Sequence, residues 1–373
     1  MNSYFIFGPN GRLLLQFFGF LLVVYAAYNI PNKKNLLKKS IISFLFFVII
    51  ILISLVNEQE VFDFTNVIFA LVCFTLTILG LVIGNNHSSY YNYISNTHVF
   101  LFCGLLLVSS FYFHNYLNIN FLNTRSLDLE NSVNTIGMAY TNGMLFFFFY
   151  YLSLIMKKAN IIIRGIIIFS IIVCFFNILA TQSRGAIIYI LLTSLIINSK
   201  FIFSKNIFKF ILAVLSLVLV FYLIYPILVD NFPILESRFL GLFNRLELLF
   251  MFSQNKNIDL SAQARQLYIV DFYNQFYSFI LLGQFNYKPY PHNLFLELIM
   301  RWGLIGVTLS YLILKSFYRA IYTVNSTTQS NNRMLILICS LFIFSLLQSL
   351  SSLSLEMNRM LWLGFGFFIT FKK

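Results

Sequence analysis

Long apolar stretches separated by short polar segments repeat along the whole chain. A stretch of about 20 apolar residues crosses the ~30 Å hydrocarbon layer of a membrane as an α-helix, because a helix rises 1.5 Å per residue. The pattern predicts an all-α integral membrane protein of about 11 transmembrane helices, with about 10 to 12 compatible with it. The predicted spans are 13–30, 41–56, 64–84, 98–116, 138–156, 161–180, 185–199, 207–229, 292–314, 334–354 and 358–371.

Composition supports the membrane interpretation and excludes a soluble globular domain. Of the 373 residues, 59% are hydrophobic and only 10% are charged, whereas about a quarter of a soluble protein is charged. The mean hydropathy is +0.82. There is no internal repeat, so we expect residues 1–373 to form a single polytopic membrane domain.

The net charge of +13 indicates orientation and not a nucleic-acid partner, because the charges segregate by loop. Most Lys and Arg residues fall in alternate loops, including Lys33 and Lys34, and all 12 Asp and Glu residues fall on the other side. Basic loops mark the cytoplasmic face. We call the opposite, acidic face the outer side. The N-terminus lacks a basic region and a cleavage site, so the first span is expected to be retained.

Residues 230–291 form a long loop on the outer side. Connections of this length are usually functional. Within the loop, Ile269, Phe272, Tyr273, Phe276 and Ile280 recur at helical spacing, which predicts an amphipathic helix. Two placements stay open: on the outer leaflet or the helix bundle, or packed as a short soluble helix on its own loop.

The stretch from Arg265 through Tyr287 and His292 to Arg301 is the default candidate site. It ends the longest polar insertion and enters an apolar helix that carries a histidine, a carboxylate and an arginine. Polar groups in such a place are costly to keep. A lone histidine at a helix start is more often a cap or an interfacial residue than a catalyst, so the functional interpretation of His292 competes with that one.

Glu297 and Arg301 are four residues apart on one predicted helix, so their side chains can meet. We interpret them first as a structural pair. Gly303 and Gly306 are expected to let a neighbouring helix approach closely.

Arginines at the outer side are suited to a pyrophosphate, because the guanidinium binds phosphate oxygens through two hydrogen bonds and keeps its charge. Arg184 stands at the outer end of a short apolar stretch, where it either faces protein and water or extends to the interface. Further outer arginines include Arg238, Arg245 and Arg265.

No metal or cofactor site is visible. Cys73, Cys103, Cys174 and Cys339 each lie within a predicted span, which favours free thiols. The four histidines are too scattered for a metal site. The chain lacks a phosphate-binding G-x-x-x-x-G-K-[ST] loop, and it has no D-x-D pair for a nucleotide sugar. We therefore expect no cofactor, and a donor that is already activated in the membrane.

Several of these motifs, in this order, resemble the O-antigen polymerase and O-antigen ligase family of bacterial envelope glycosyltransferases. The resemblance covers roughly residues 140–370. It rests on Ser183-Arg184-Gly185 at the start of a span, on Arg265 ahead of a Tyr/Phe-rich helix, and on His292-Asn293-x-Phe295-Leu-Glu297 followed by Gly303-Leu-Ile-Gly306.

The resemblance implies a multi-pass, metal-independent glycosyltransferase of the bacterial inner membrane, similar in architecture to the GT-C transferases that use lipid-linked sugars. Its active site would face the periplasm, and its substrate would be an oligosaccharide linked to undecaprenyl pyrophosphate. By this resemblance Arg184, Arg265 and His292 would be catalytic, with Arg238 or Arg245 as alternatives for the second arginine. Arg238, Arg245, Tyr287, Glu297 and Arg301 are expected to contact substrate. Partners would be membrane lipid, the lipid-linked glycan and, as an open question, a chain-length regulator.

Three functions stay open. A polymerase of surface polysaccharide transfers the growing glycan to the next lipid-linked repeat unit, and the short, Phe-rich chain with degenerate motifs favours it. A ligase transfers the glycan to lipid A-core instead. A flippase or exporter of lipid-linked oligosaccharide belongs to another class, which usually places ionisable groups and paired helix breaks near the membrane midplane.

Overall fold

A computed structural model describes residues 64–85, 135–156, 160–180, 183–199, 260–281, 283–284, 291–326, 333–351 and 358–371. All the secondary structure in these ranges is α-helix, as the all-α prediction requires. The helices are α1 (Phe64–Asn85), α2 (Thr135–Ile155), α3 (Ile161–Ala180), α4 (Arg184–Ile197), α5 (Leu260–Asn274), α6 (Phe276–Leu281), α7 (Leu294–Ser326), α8 (Arg333–Ser349) and α9 (Arg359–Thr370).

Six predicted spans coincide with one helix each to within a few residues: 64–84, 138–156, 161–180, 185–199, 334–354 and 358–371. Predicted spans 13–30, 41–56, 98–116 and 207–229 lie outside the described residues. Within the described ranges, one helix is long and apolar enough to cross a membrane, over Leu294–Val324. The total of eleven spans therefore stays a prediction.

The chain divides into two compact units. The first contains α2, α3 and α4. Because only a few residues connect α2 to α3, the two helices are antiparallel neighbours. Phe149 and Leu152 of α2 pack against Ile167 and Cys174 of α3.

Polar contacts supplement this packing inside the first unit. The buried Asn177 amide of α3 donates a hydrogen bond to Asn142 Oδ1 of α2 at 3.0 Å. Tyr150 of α2 donates to Asn198, which caps the end of α4. One face of α3 remains exposed and apolar, including Ile162, Ile168 and Phe169. Such a face suits lipid better than water.

The second unit contains α1, α5, α6, α9 and most of α7. Its closest helix contact joins α1 to α9 through glycines. A methyl group on Gly366 of α9 would collide with the Thr77 carbonyl of α1, and one on Gly80 of α1 would collide with the Leu363 carbonyl. Thr370 Oγ1 donates across the pair to the Leu81 carbonyl at 3.2 Å. Small residues thus let the two backbones touch.

Arg319 of α7 closes the end of this pair. Its Nη1 donates to the carbonyls of Phe368 and Ile369 at 3.0 and 3.3 Å, in the last turn of α9. A guanidinium there satisfies carbonyls that have no partner in the helix and opposes the negative end of the helix dipole. Arg319 lies inside α7 because this helix continues to Ser326, beyond the end of the predicted span 292–314.

Candidate functional site

His292 and Asn293 begin the candidate site, just before α7. Asn293 Oδ1 accepts hydrogen bonds from the backbone N–H groups of Phe295 and Leu296 at 3.0 and 3.2 Å. Asparagine is among the best N-cap residues because its side chain satisfies these otherwise unpaired donors. The cap is Asn293, so His292 is not the capping residue that the lone-histidine argument anticipated.

His292 has a positive φ of 52°, the one non-glycine residue with that geometry in the described part of the chain. The left-handed region costs a residue with a Cβ roughly 1–2 kcal/mol, although histidine tolerates it better than most. The histidine is partly buried and follows the buried Pro291. Its backbone is thus held in an unfavourable conformation by its surroundings, which is common where a side chain must be aimed.

Glu297 and Arg301 form the predicted ion pair, with Arg301 Nη2 3.3 Å from Glu297 Oε1. The Glu297 side chain is 1% exposed and the Arg301 side chain 20% exposed. A buried carboxylate is tolerated only with a partner of this kind. The prediction of a pair is confirmed.

Gly303 breaks α7 after its first nine residues. Its φ of 55° and ψ of −130° are not helical, and this combination is open essentially to glycine alone. We call Leu294–Trp302 the half-helix. The remainder, Leu304–Ser326, is still about 34 Å long at 1.5 Å per residue, enough to cross a membrane by itself.

The break folds α7 back on itself. A methyl group on Gly306 would collide with the Leu298 carbonyl of the half-helix. In a straight helix these two residues would lie about 12 Å apart along the axis. The expectation that Gly303 and Gly306 admit a neighbouring helix is therefore wrong in detail: Gly303 makes the bend, and Gly306 receives the half-helix of its own α7.

Gly283 and Gln284 hold the other side of the break. Gly283 has a φ of 72°, and a methyl group there would lie 2.5 Å from the Arg301 carbonyl and 2.6 Å from the Gly303 nitrogen. The Gln284 N–H donates to the Met300 carbonyl at 2.6 Å. A carbonyl that the break leaves without a helical partner is thus satisfied.

The Gln284 side chain links this point to the polar side of α5 and α6. Its Nε2 donates to Gln275 Oε1 at 3.2 Å and approaches Ser278 Oγ at 3.4 Å. Gln275 in turn donates to Asp271 at 2.9 Å. The polar residues of the predicted amphipathic segment are therefore used for internal contacts.

The predicted amphipathic helix is a pair of helices, α5 and α6, separated at Gln275. Phe272 stacks on the fully buried Phe279, with ring centroids 6.1 Å apart. The outward face is strongly apolar. We call it the α5–α6 face, and it consists of Leu267, Ile269, Val270, Tyr273, Phe276, Tyr277 and Leu281, which are 39 to 80% exposed.

Helix α7 also has an exposed apolar stripe. Leu304, Val307 and Tyr311 begin it, and Leu314, Tyr318 and Tyr322 continue it at intervals of three or four residues. From Leu304 to Tyr322 the stripe is about 27 Å long. This length is close to the thickness of a membrane's hydrocarbon layer.

The remaining predicted site residues are placed only in part. Arg184 is the first residue of α4, at the helix start that the sequence predicted. Arg265 lies inside α5 and not ahead of a helix. Of both side chains the structure describes nothing further. Arg238, Arg245 and Tyr287 lie outside the described residues, so a joint role of the arginines with His292 stays a prediction.

Three of the four cysteines lie within the described residues. Cys73, Cys174 and Cys339 are buried free thiols, as predicted, and Cys103 lies outside the described residues. Within the part of the chain that the structure describes, His, Cys, Asp and Glu do not gather in groups of three or more.

In the part of the chain that the structure describes, fold and site combine α-helices with one membrane-length helix that bends at Gly303 beside a buried ion pair. Comparison with models of protein families, with curated proteins and with solved structures found no match.

Proposed function

We propose that this chain is a polymerase of bacterial surface polysaccharide, of the O-antigen polymerase kind, in the inner membrane. It would transfer the growing glycan from undecaprenyl pyrophosphate to the next lipid-linked repeat unit at the periplasmic face. The proposal is based on the resemblance in the order of the sequence motifs. It includes the multi-pass topology of about eleven spans.

The observation that carries the proposal is the construction around His292. A histidine with a strained backbone stands at the head of a capped half-helix, one turn before the buried Glu297. The half-helix precedes Leu304–Ser326, the part of α7 that is long enough to cross a membrane by itself. This arrangement suits a proton acceptor held at the surface of a membrane, where a lipid-linked substrate arrives by lateral diffusion.

In the proposed reaction, a hydroxyl oxygen of the incoming repeat unit attacks the anomeric carbon of the donor glycan. The bond between that carbon and the pyrophosphate oxygen breaks, and undecaprenyl pyrophosphate leaves with the electron pair. His292 accepts the proton of the attacking hydroxyl. Arg184 and Arg265 bind the pyrophosphate and stabilise the charge that develops on it. Glu297 and Arg301 hold the half-helix that positions the histidine.

The test is chain elongation by purified protein in liposomes supplied with lipid-linked repeat units. We expect His292→Ala to reduce elongation about 10²–10⁴-fold, the usual contribution of a general base. His114→Ala is the matched control, because no role is assigned to that histidine, and it should elongate normally. Undiminished elongation by His292→Ala would contradict the proposed role of His292 as the general base. Transfer to lipid A-core instead of to a repeat unit would indicate a ligase.

The break in α7 favours a second candidate, a flippase or exporter of lipid-linked oligosaccharide. Transporters build binding sites from discontinuous helices. In α7, however, the break follows residue 302, near one end of the helix, and the ion pair lies on the short side of it. Movement of a fluorescent lipid-linked oligosaccharide across liposomes without elongation would favour the transporter.

A further inference from the structure

The end of α8 contains a buried side chain that the proposed reaction does not use. Gln348 is fully buried, and neither its amide nitrogen nor its amide oxygen has a hydrogen-bond partner among the described residues. A buried polar group without a partner destabilises the folded state, because it has lost its hydrogen bonds to water. Native proteins rarely retain such a group without a use.

Ser345, one turn earlier, behaves in the same way. Its hydroxyl is buried and has no partner in the described ranges. Ser340 and Ser349 of the same helix are different, because each donates to a carbonyl of its own helix at 2.6 Å. Back-bonding of this kind is the usual solution for serine in an apolar helix. Ser345 and Gln348 are three residues apart, so they share one face of α8.

The backbone around these two side chains is fixed. Asn358, which caps α9, donates from Nδ2 to the Ser345 carbonyl at 2.6 Å. The N–H of Ser351 donates to the Gln348 carbonyl at 3.1 Å. The main chain is thus satisfied and held, while the buried polar ends of both side chains have no hydrogen-bond partner among the described residues.

We propose that Gln348 and Ser345 form a hydrogen-bonding subsite for the hydroxyl groups of a sugar. A carboxamide donates and accepts at once, which matches two neighbouring hydroxyls of a sugar ring. Both groups are neutral, so they favour hydroxyls over the charged pyrophosphate. Since both are covered in this structure, the sugar enters with a local opening at this end of α8. The proposal rests on the proposed function, because it assigns these residues to the glycan of the lipid-linked substrate.

The test uses heat unfolding of the full-length purified protein in detergent with two probes. One probe is undecaprenyl pyrophosphate. The other is the same lipid carrying the glycan, extracted from membranes of the organism that encodes the chain. For the unaltered protein we expect both probes to raise the unfolding midpoint and the glycan to add a further increment.

In Gln348→Met the increment from the glycan should vanish while the effect of undecaprenyl pyrophosphate remains. Binding of the glycan-bearing lipid should weaken about tenfold, as expected for a lost hydrogen bond in a buried site. The unliganded midpoint should be equal or higher, because the variant removes an amide that has no partner. Ser349→Ala, which removes a hydroxyl bonded within its own helix, should keep the increment.

Two results would overturn the subsite. One is a full glycan increment in Gln348→Met. The other is a fall in its unliganded midpoint, which would indicate that the amide holds a structural water and stabilises the fold. If neither probe raises the unfolding midpoint of the unaltered protein, the proposed function fails, and the subsite fails with it. This result differs from the two above, which overturn the subsite alone.

Discussion

In the α1–α9 pair, glycine lets two helices touch along their backbones, whereas at residues 291–303 glycine ends a helix. Gly80 and Gly366 keep helical geometry and remove side-chain bulk, so the pair is closed by contact. Gly303 leaves helical geometry, and the chain around it carries a strained histidine and a buried charge. Glycine thus stabilises a close helix contact in the α1–α9 pair, whereas at Gly303 it allows a bend next to strained and buried charged residues.

The contrast is informative because both regions lie in the same unit. In the α1–α9 pair, Thr370 and Arg319 donate ordinary hydrogen bonds to backbone carbonyls of α1 and α9. Around the half-helix, Asn293 at its start and Gln284 from an earlier segment satisfy backbone groups beside the strained His292 and the non-helical Gly303. Proteins generally accept such costs where function requires them.

The largest effect is expected from Arg301→Gln. It leaves the Glu297 carboxylate buried without its cation, which costs about 3 kcal/mol for a buried pair. Glu297→Gln should cost less, because the remaining Arg301 is 20% exposed and can be hydrated. The measurement is the unfolding midpoint in detergent. The double variant Glu297→Gln with Arg301→Gln should recover most of the loss, and strictly additive losses would contradict the coupling.

The second effect tests the α1–α9 contact. Gly366→Ala forces a methyl group against the Thr77 backbone, and overpacking of this kind costs about 1–3 kcal/mol. Gly165→Ala is the matched control, because a methyl group there meets nothing within 4 Å. It should stabilise α3 slightly, since alanine favours helix over glycine. Equal unfolding midpoints for the two variants would contradict a close backbone contact between α1 and α9.

A smaller effect is expected at the cap of the half-helix. Asn293→Ala removes the acceptor for two backbone N–H groups and should cost about 1 kcal/mol. Asn293→Asp restores an acceptor and should recover the unfolding midpoint. If elongation activity falls with Asn293→Ala and returns with Asn293→Asp, the cap also positions His292. Unchanged stability of the alanine variant would indicate that the half-helix does not depend on this cap.

The smallest effect concerns the α5–α6 face. Tyr277 is 80% exposed, so Tyr277→Trp should change stability by less than about 0.5 kcal/mol. If the face lies in the outer leaflet, brominated lipid should quench the fluorescence of the new tryptophan beyond that of the unaltered protein. Ser278→Trp, on the polar side, is the comparison variant and should be quenched less. Equal quenching would place the face away from lipid.

Much of the helical pattern was predictable, because it depends on local hydrophobicity. The stretch 161–180 was predicted to the residue, and Glu297 with Arg301 followed from helical spacing alone. The cap at Asn293 was also readable, since asparagine before an apolar run is a standard helix-start signal. The neighbouring His292 carries the more conspicuous chemistry, but it does not cap the helix. Gly80 and Gly84 likewise form a G-x-x-x-G motif, which is a sequence signal for the close helix contact seen between α1 and α9.

The break at Gly303 was not predictable in the same way. A glycine in an apolar helix is compatible with close packing or with a bend, and the choice here depends on Gly283 and Gln284, which lie about twenty residues earlier. Similarly, the unsatisfied amide of Gln348 depends on what surrounds it in three dimensions. Local sequence patterns were therefore enough to predict the helices. The geometry of the candidate site depends on contacts between separate segments, which local patterns do not contain.

The hydrogen bond from Gln284 to Met300 has a mechanical consequence. It connects the segment that follows α6 to the half-helix at the point where α7 bends. A displacement of α6 would therefore be transmitted to the half-helix. The apolar α5–α6 face is thereby coupled to the half-helix that His292 precedes. We therefore expect a displacement of the α5–α6 face to move the half-helix as well.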